Sequence, residues 1–108
     1  MTSRPLRDFE QLMLLALAHL GDDAHGGSMR RLIEERTGRV VSPGAIYTAC
    51  DRLEARGYIS SALGEPTPER GGKRKRLYRL GPAGVAVLRT EHAAHAGMRR
   101  GLKAKLVP

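Results

Sequence analysis

Ten consecutive residues, from Arg70 to Arg79, carry six cationic side chains (Arg70, Lys73, Arg74, Lys75, Arg76 and Arg79) and no acidic one. Crowded charge of one sign points to a polyanionic partner, nucleic acid above all, with a merely solvated basic loop as the plainer alternative. Upstream, Ser42-Pro43-Gly44 has the pattern of a helix start: Ser42 as cap, and Pro43 at the first helical position, where its missing N–H costs nothing. Free backbone amides at such a start suit a phosphate, and the small residues Gly44 and Ala45 allow close approach to a duplex. Tyr47 and Thr48 offer hydroxyls to phosphates or base edges, and Arg52 offers a planar fork that reads guanine or clamps a phosphate. Asp51 repels phosphate, so it either meets a cytosine amino group or pairs with Arg52 or another cation. For Tyr47 the alternative is an aromatic ring filling a gap between helices.

The other chemically suggestive residues are weaker. His92 and His95 lie three apart beside Glu91, but no Cys or further His is close in sequence, and no metal site is expected. A seam of histidines at an interface would instead weaken association as pH falls through about 6.5. Cys50, the single cysteine, cannot form an internal disulfide, which fits a reducing compartment. It reads as a small buried hydrophobe, with a redox switch as the alternative. Gly71-Gly72-Lys73 lacks the strand before and the helix after that a phosphate-binding loop needs, and no Ser-His-acid or Cys-His constellation is present. The expectation is a protein that is not an enzyme and takes no cofactor.

These residues must be positioned by a small number of elements. A first helix is expected over 9–20, opened by Asp8 as cap with Gln11 three positions on. Phe9, Met13, Ala16, Leu17 and Leu20 share one face, yet Leu12, Leu15 and Ala18 make the opposite side apolar as well. A helix apolar all round is covered on both sides, which in so short a chain calls for a second copy, unless it is simply a greasy core helix of a monomer. A second helix is expected over 27–37, with Met29, Leu32 and Ile33 inward, and a third over 43–56, with Ile46, Ala49 or Cys50, and Leu53 inward. After Gly57 two alternating stretches, 58–63 and 75–80, flank a segment rich in Gly, Pro and charge: a hairpin with a long, flexible, basic tip. Gly81-Pro82 then opens a last helix expected over 83–105, where Leu88, His95 and Leu102 repeat at seven-residue spacing, as do Glu91, Met98 and Lys105.

Length and charge bound the answer. The chain has 108 residues with one Phe, three Tyr and no Trp, so it is one small domain and not a large cofactor-binding enzyme. Its longest apolar run, residues 12–20, is broken by His19 and falls far short of the roughly 20 residues of a membrane span; neither an anchor nor a signal peptide is expected, and the location expected is the cytoplasm. Residues 1–54 hold seven basic and eight acidic side chains, whereas 55–108 hold twelve and three, so the formal charge of +8 belongs to the second half. Arg99, Arg100, Lys103 and Lys105 form a second basic cluster, read as a solvated helix end with cations at its negative pole, or else as a supplementary contact for nucleic acid or an acidic protein.

Three helices followed by a basic hairpin is the winged helix-turn-helix order, in which the third helix enters the major groove and the wing reaches the backbone or minor groove. The motifs agree. Ser42-Pro43-Gly44-Ala45-Ile46-Tyr47-Thr48, then 51–59, then 64–74, then Leu77-Tyr78-Arg79-Leu80 ahead of Pro82-Ala83-Gly84, resemble the PadR-like transcriptional regulators over roughly residues 9–88. Gly27 stands where that family usually has an aromatic, and Gly81 where it usually has Ser or Thr. The resemblance implies a mainly α fold with a two-stranded β-wing: a winged helix-turn-helix domain over 1–81, and a C-terminal dimerisation helix with a short tail over 82–108, as in the smaller subgroup. It also implies a bacterial repressor acting as a homodimer on double-stranded DNA. The DNA-reading positions it implies are Ser42, Gly44, Tyr47, Thr48, Arg52, Lys73, Arg74, Lys75 and Arg76. Leu12, Leu15, Leu88, His95, Met98 and Leu102 are the expected dimer interface. A protein-binding adaptor, or a sensor with a small-molecule effector between the first and last helices of a dimer, are the competing readings; composition neither demands nor excludes the effector.

Overall fold

The structure is a computed structural model that describes residues 4–66 and 74–102. Helix α1 spans Asp8–Leu20, α2 Gly26–Thr37 and α3 Pro43–Ala55; strands β1, Ile59–Pro66, and β2, Arg74–Leu80, form an antiparallel hairpin; and α4 runs over Pro82–Arg99. This is the expected winged-helix order.

Local chemistry explains the boundaries, including those the sequence misplaces. α1 starts one residue early because Arg7, not Asp8, is the cap residue: the Arg7 N–H donates to Glu10 Oε1 at 2.8 Å. Asp8 is thereby released to pair with Arg39 Nη1 at 2.6 Å, and Gln11 reaches Glu91 of α4 at 3.5 Å instead of closing a capping box. α2 also begins one residue early, on an imidazole cap described below, and ends at Gly38, whose φ of +75° is left-handed. α3 opens as expected: Ser42 Oγ accepts from the Ala45 N–H at 3.1 Å, with Pro43 next. The hairpin pairs Ile59 with Leu80, Ser61 with Tyr78 and Leu63 with Arg76, and its register slips between Leu63 and Pro66. α4 is shorter than expected. It ends at Arg99 rather than at Lys105, and Gly101 takes a φ of +92°, so Leu102 lies beyond the helix and the repeat of Leu88, His95 and Leu102 does not form a continuous helical seam.

One core joins these elements. Met13 and Leu14 of α1, Met29 of α2, and Ile46, Cys50 and Leu53 of α3 are its largest fully buried side chains, closed on the hairpin side by Tyr58, Ile59 and Tyr78. The Tyr78 N–H donates to the Ala24 carbonyl at 2.8 Å, which ties the outer edge of β2 to the segment between α1 and α2. At the base of the hairpin α4 comes in so close that a Cβ on Gly84 would overlap the Tyr58 carbonyl oxygen and stand 2.6 Å from Leu80 Cδ1. Only glycine fits there.

A buried ion cluster secures the chain ahead of α1. The Glu10 side chain is 3% exposed, with Arg4 Nη1 at 3.5 Å and Arg56 Nη1 at 3.7 Å from its Oε1. Arg56 also lies over the Tyr58 ring, 4.9 Å from its centre, and donates to the Arg4 carbonyl, so it links the end of α3 to the residues before α1. Burial pushes the Glu10 carboxyl up, but the Arg7 N–H and the two guanidinium groups outweigh it and hold the carboxyl below its ordinary value. A depressed carboxyl stabilises the fold above the unfolded-state pKa, and this contribution is lost as pH falls through the folded one. Glu10→Gln should therefore cost about 3 kcal/mol in urea denaturation at neutral pH, because Arg56 is left facing a neutral group, with the deficit shrinking as pH approaches 3. An unchanged midpoint at pH 7 would contradict this role.

Candidate nucleic-acid interface

With Ile46, Ala49, Cys50 and Leu53 buried, the opposite side of α3 is obliged to face solvent, and Ser42, Gly44, Ala45, Tyr47, Thr48, Asp51 and Arg52 are all exposed. Ser42 Oγ is engaged as the cap, which leaves its hydroxyl proton free to donate outward. Around Gly44 there is open space. Among the described residues no ion pair holds Asp51, so the expected pairing with Arg52 is not formed.

Tyr47 combines the two roles weighed for it. Its side is 53% exposed, yet its ring rests on the first turn of α2: a Cβ on Gly26 would stand 3.3 Å from the hydroxyl oxygen and 3.5 Å from Cζ. Gly26 thus permits the ring to rest against α2 while the residue stays half-exposed.

The wing cations are braced as well as exposed. Arg74 Nε donates to the Gly64 carbonyl at 2.7 Å across the hairpin. Arg76 Nη1 donates to Ser61 Oγ at 3.1 Å, and that hydroxyl sits 3.0 Å from both carboxylate oxygens of Glu54 on α3. The chain Arg76–Ser61–Glu54 ties the wing strand to α3. Lys75 is exposed without such a brace, and Lys73 lies outside the described residues. Arg79, further along β2, pairs with Asp22 at 3.3 Å.

His25, absent from the residues expected to matter, links these parts. Its Nδ1 accepts from the Gly27 N–H at 3.2 Å and the Ser28 N–H at 3.4 Å, while Ser28 Oγ accepts from the His25 N–H at 3.0 Å: a reciprocal cap built on imidazole. Imidazole is not among the usual cap groups, so residue type alone gave no signal; its place just before Gly26-Gly27 and a helical stretch was the available one. Burial first, and then the Lys75 charge, lower its pKa from the ordinary value; Asp23 opposes this and Arg31 adds to it. Cys50 is pushed up to about 11 by burial, so its thiol stays protonated and unreactive at neutral pH, in keeping with a packing role.

The expected interface residues fall into two groups. Leu12 and Leu15 line an apolar groove of about 130 Å³ between α1 and α2, together with His19, Leu32 and Ile33; Leu15 is 46% exposed. Leu88 packs partly against the chain's own core, whereas His95 and Met98 project from α4 into solvent, Met98 at 80% exposure. Every residue of 92–102 is exposed, so the distal half of α4 is an arm without an intramolecular partner among the described residues. Among those residues no helix is long and apolar enough to cross a membrane, and no three metal-binding side chains converge.

Comparison with known proteins places this geometry. The sequence pattern of the transcriptional regulator PadR-like family matches residues 14–90. A 37.1 kDa protein of transposon TN4556 from Streptomyces fradiae is 36% identical over 92 residues; these are 85% of this chain but only 24% of that protein, so the chain spans about a quarter of its length. A transcriptional regulator from Clostridium thermocellum superposes with a TM-score of 0.71 at 25% identity, covering 91% of this chain and 92% of that one. Bacillus subtilis PadR, solved in complex with operator DNA, superposes with a TM-score of 0.68 at 19% identity over 80% of this chain and 47% of its own.

The His25 cap has a pH signature. The unfolded chain takes up a proton on His25 as pH falls through about 6.5, while burial and then the Lys75 charge hold the folded imidazole neutral to lower pH; once protonated, Nδ1 no longer accepts the two N–H groups. The cap's contribution, about 1 kcal/mol, is therefore complete at neutral pH and lost as pH falls toward 5. Urea denaturation at pH 7 and pH 5 should show a shallower loss of stability for His25→Asn, which caps without titrating, than for the wild type; parallel losses would contradict it.

Proposed function

Because the chain belongs to the PadR-like family of transcriptional regulators, we propose that it binds double-stranded DNA as a homodimer and represses transcription from the sites it occupies. The observation that carries this reading is that Tyr47 of α3 shares one cleft with Arg74, Lys75 and Arg76 of β2, while Thr48 and Arg52 are exposed on the same helix. In this mode α3 enters the major groove. Tyr47, Thr48 and Arg52 meet base edges and flanking phosphates, and Gly44 allows the helix to approach without a side chain in the way. Ser42 donates its free hydroxyl proton to a phosphate. Arg74, Lys75 and Arg76 supply the sequence-independent grip of the wing on the backbone, with Lys73 beside them in the sequence. The operator-bound Bacillus subtilis relative lends support at the level of fold.

A dimer is supported by what the monomer leaves uncovered. The groove at Leu12 and Leu15 and the arm bearing His95 and Met98 are apolar or half-apolar surfaces on one chain, and α4 of a second copy is of the right kind to cover the first. Sedimentation equilibrium should give twice the 11.8 kDa chain mass, and Leu15→Glu should return it to a monomer. A wild-type monomer at micromolar concentration would overturn the assembly.

Selection of bound duplexes from a random pool, followed by fluorescence anisotropy, tests the DNA reading. Affinity should fall about 10³-fold or more between 50 and 200 mM salt, since a dimer neutralises several phosphates. Arg74→Ala with Arg76→Ala should abolish measurable binding. No enriched duplex, or an affinity flat in salt, would contradict the proposal.

A further inference from the structure

Two clefts flank β2, and they differ in charge. The larger, about 380 Å³, lies against Ser60, Ala62, Leu77 and Arg79, and its one cation is neutralised by the Arg79–Asp22 pair. The smaller, about 190 Å³, is walled by His25, Gly26 and Gly27 on one side, Tyr47 on the second, and Arg74, Lys75 and Arg76 on the third. Among the described residues no carboxylate lines it. Arg74, Lys75, Arg76 and Tyr47 thus border a space that no acidic side chain lines among the described residues, where the first turn of α2, α3 and the wing meet.

We propose that this smaller cleft is the seat of a single backbone phosphate of the bound duplex, held by Lys75 and the Tyr47 hydroxyl between the braced guanidinium groups of Arg74 and Arg76. The inference rests on the DNA-binding reading above and adds the start of α2 to the interface. The attraction is supplied by side chains and not by the helix end, because the Gly27 and Ser28 amides are already spent on His25 Nδ1. The three walls have separate functions. Gly26 lets the Tyr47 ring rest against α2, its hydroxyl oxygen 3.3 Å from where a Cβ would stand, and Gly27 leaves room for the His25 imidazole, which a Cβ there would crowd at 3.1 Å. The Gly64 carbonyl and the Ser61–Glu54 brace hold the two arginines apart, so the cleft stays open before the duplex arrives. A phosphate seated there carries no sequence information, but it fixes how far α3 sits in the groove and how the wing is set relative to it.

The test uses the full chain and a duplex of random sequence, since a phosphate seat acts on any sequence. Gly27→Asp sets a carboxylate beside the His25 wall of the cleft and should weaken binding at low salt by about tenfold or more, with its thermal midpoint checked because its Cβ would stand 3.1 Å from the imidazole. Tyr47→Phe should cost about three- to tenfold, and Lys75→Ala should lower the slope of log affinity against log salt by about one per subunit. In the wild type, the duplex should shift the Gly26 and Gly27 amide resonances. If the wild type binds duplex but all three variants match it and those amides do not move, the seat is wrong while the DNA-binding reading stands. If the wild type binds no duplex, both fall. If inorganic phosphate at equal ionic strength shifts the amides at concentrations as low as the duplex does, the ligand is a free anion and the assignment to DNA is overturned.

Discussion

Burial of Ile46, Ala49, Cys50 and Leu53 against the side chains of α1 and the hairpin is the contact on which the rest of the surface depends. Those four residues occupy one side of α3, and sealing them fixes the rotation of the helix about its own axis. Tyr47, Thr48 and Arg52 have no choice but to face outward. The same seam sets the wing, because Tyr78 packs into it while its N–H bonds the Ala24 carbonyl. A side chain lost from this seam, Leu53→Ala for instance, would cost on the order of 2–5 kcal/mol and loosen the reading helix and the wing together.

Charge is arranged around that frame so that one acid is buried in an ion cluster and others are engaged at the surface, while the wing cations stay exposed. Glu10 is spent on Arg4 and Arg56, Glu54 on the Ser61–Arg76 brace, Asp22 on Arg79 and Asp8 on Arg39. The exposed pairs contribute little to stability on their own. Their effect is on geometry: each holds a cation or a strand in a fixed place. On the surface between α3 and β2 Lys75 has no acidic partner among the described residues, and a field of one sign at a concave site attracts a polyanion before any contact is made.

Much of this was legible in the sequence, and the misses have physical causes. The start of α3 was readable because Ser42-Pro43 combines a cap and a fixed φ, two independent signals for one boundary. Its buried and exposed faces followed from helical spacing alone. The start of α1 misled because Asp8 is a better cap by type than Arg7, whereas the structure is decided by Glu10, which serves the cap N–H and a buried ion cluster at once. α4 was read as too long because charge and alanine favour helix through residue 105, while Gly101 turns the backbone left-handed after Arg99. The contribution of His25 to the site was invisible, since it arises from an imidazole cap that brings α2 against Tyr47 and Lys75, residues far apart in the chain. For Tyr47 the sequence leaves a DNA contact and a packing ring both open; its approach to Gly26 lets the residue be half-buried and half-exposed at once.

The central claim is that two copies of this surface grip one duplex, each with a helix in the major groove and a wing beside it. Hydroxyl-radical footprinting on a duplex recovered by selection measures this directly. The account predicts two equal protected segments whose centres lie about one helical turn, ~34 Å, or a whole multiple of it apart, each flanked by a shorter protection from the wing. A single protected segment, or two whose spacing falls at a half-turn so that they lie on opposite faces of the duplex, would contradict it.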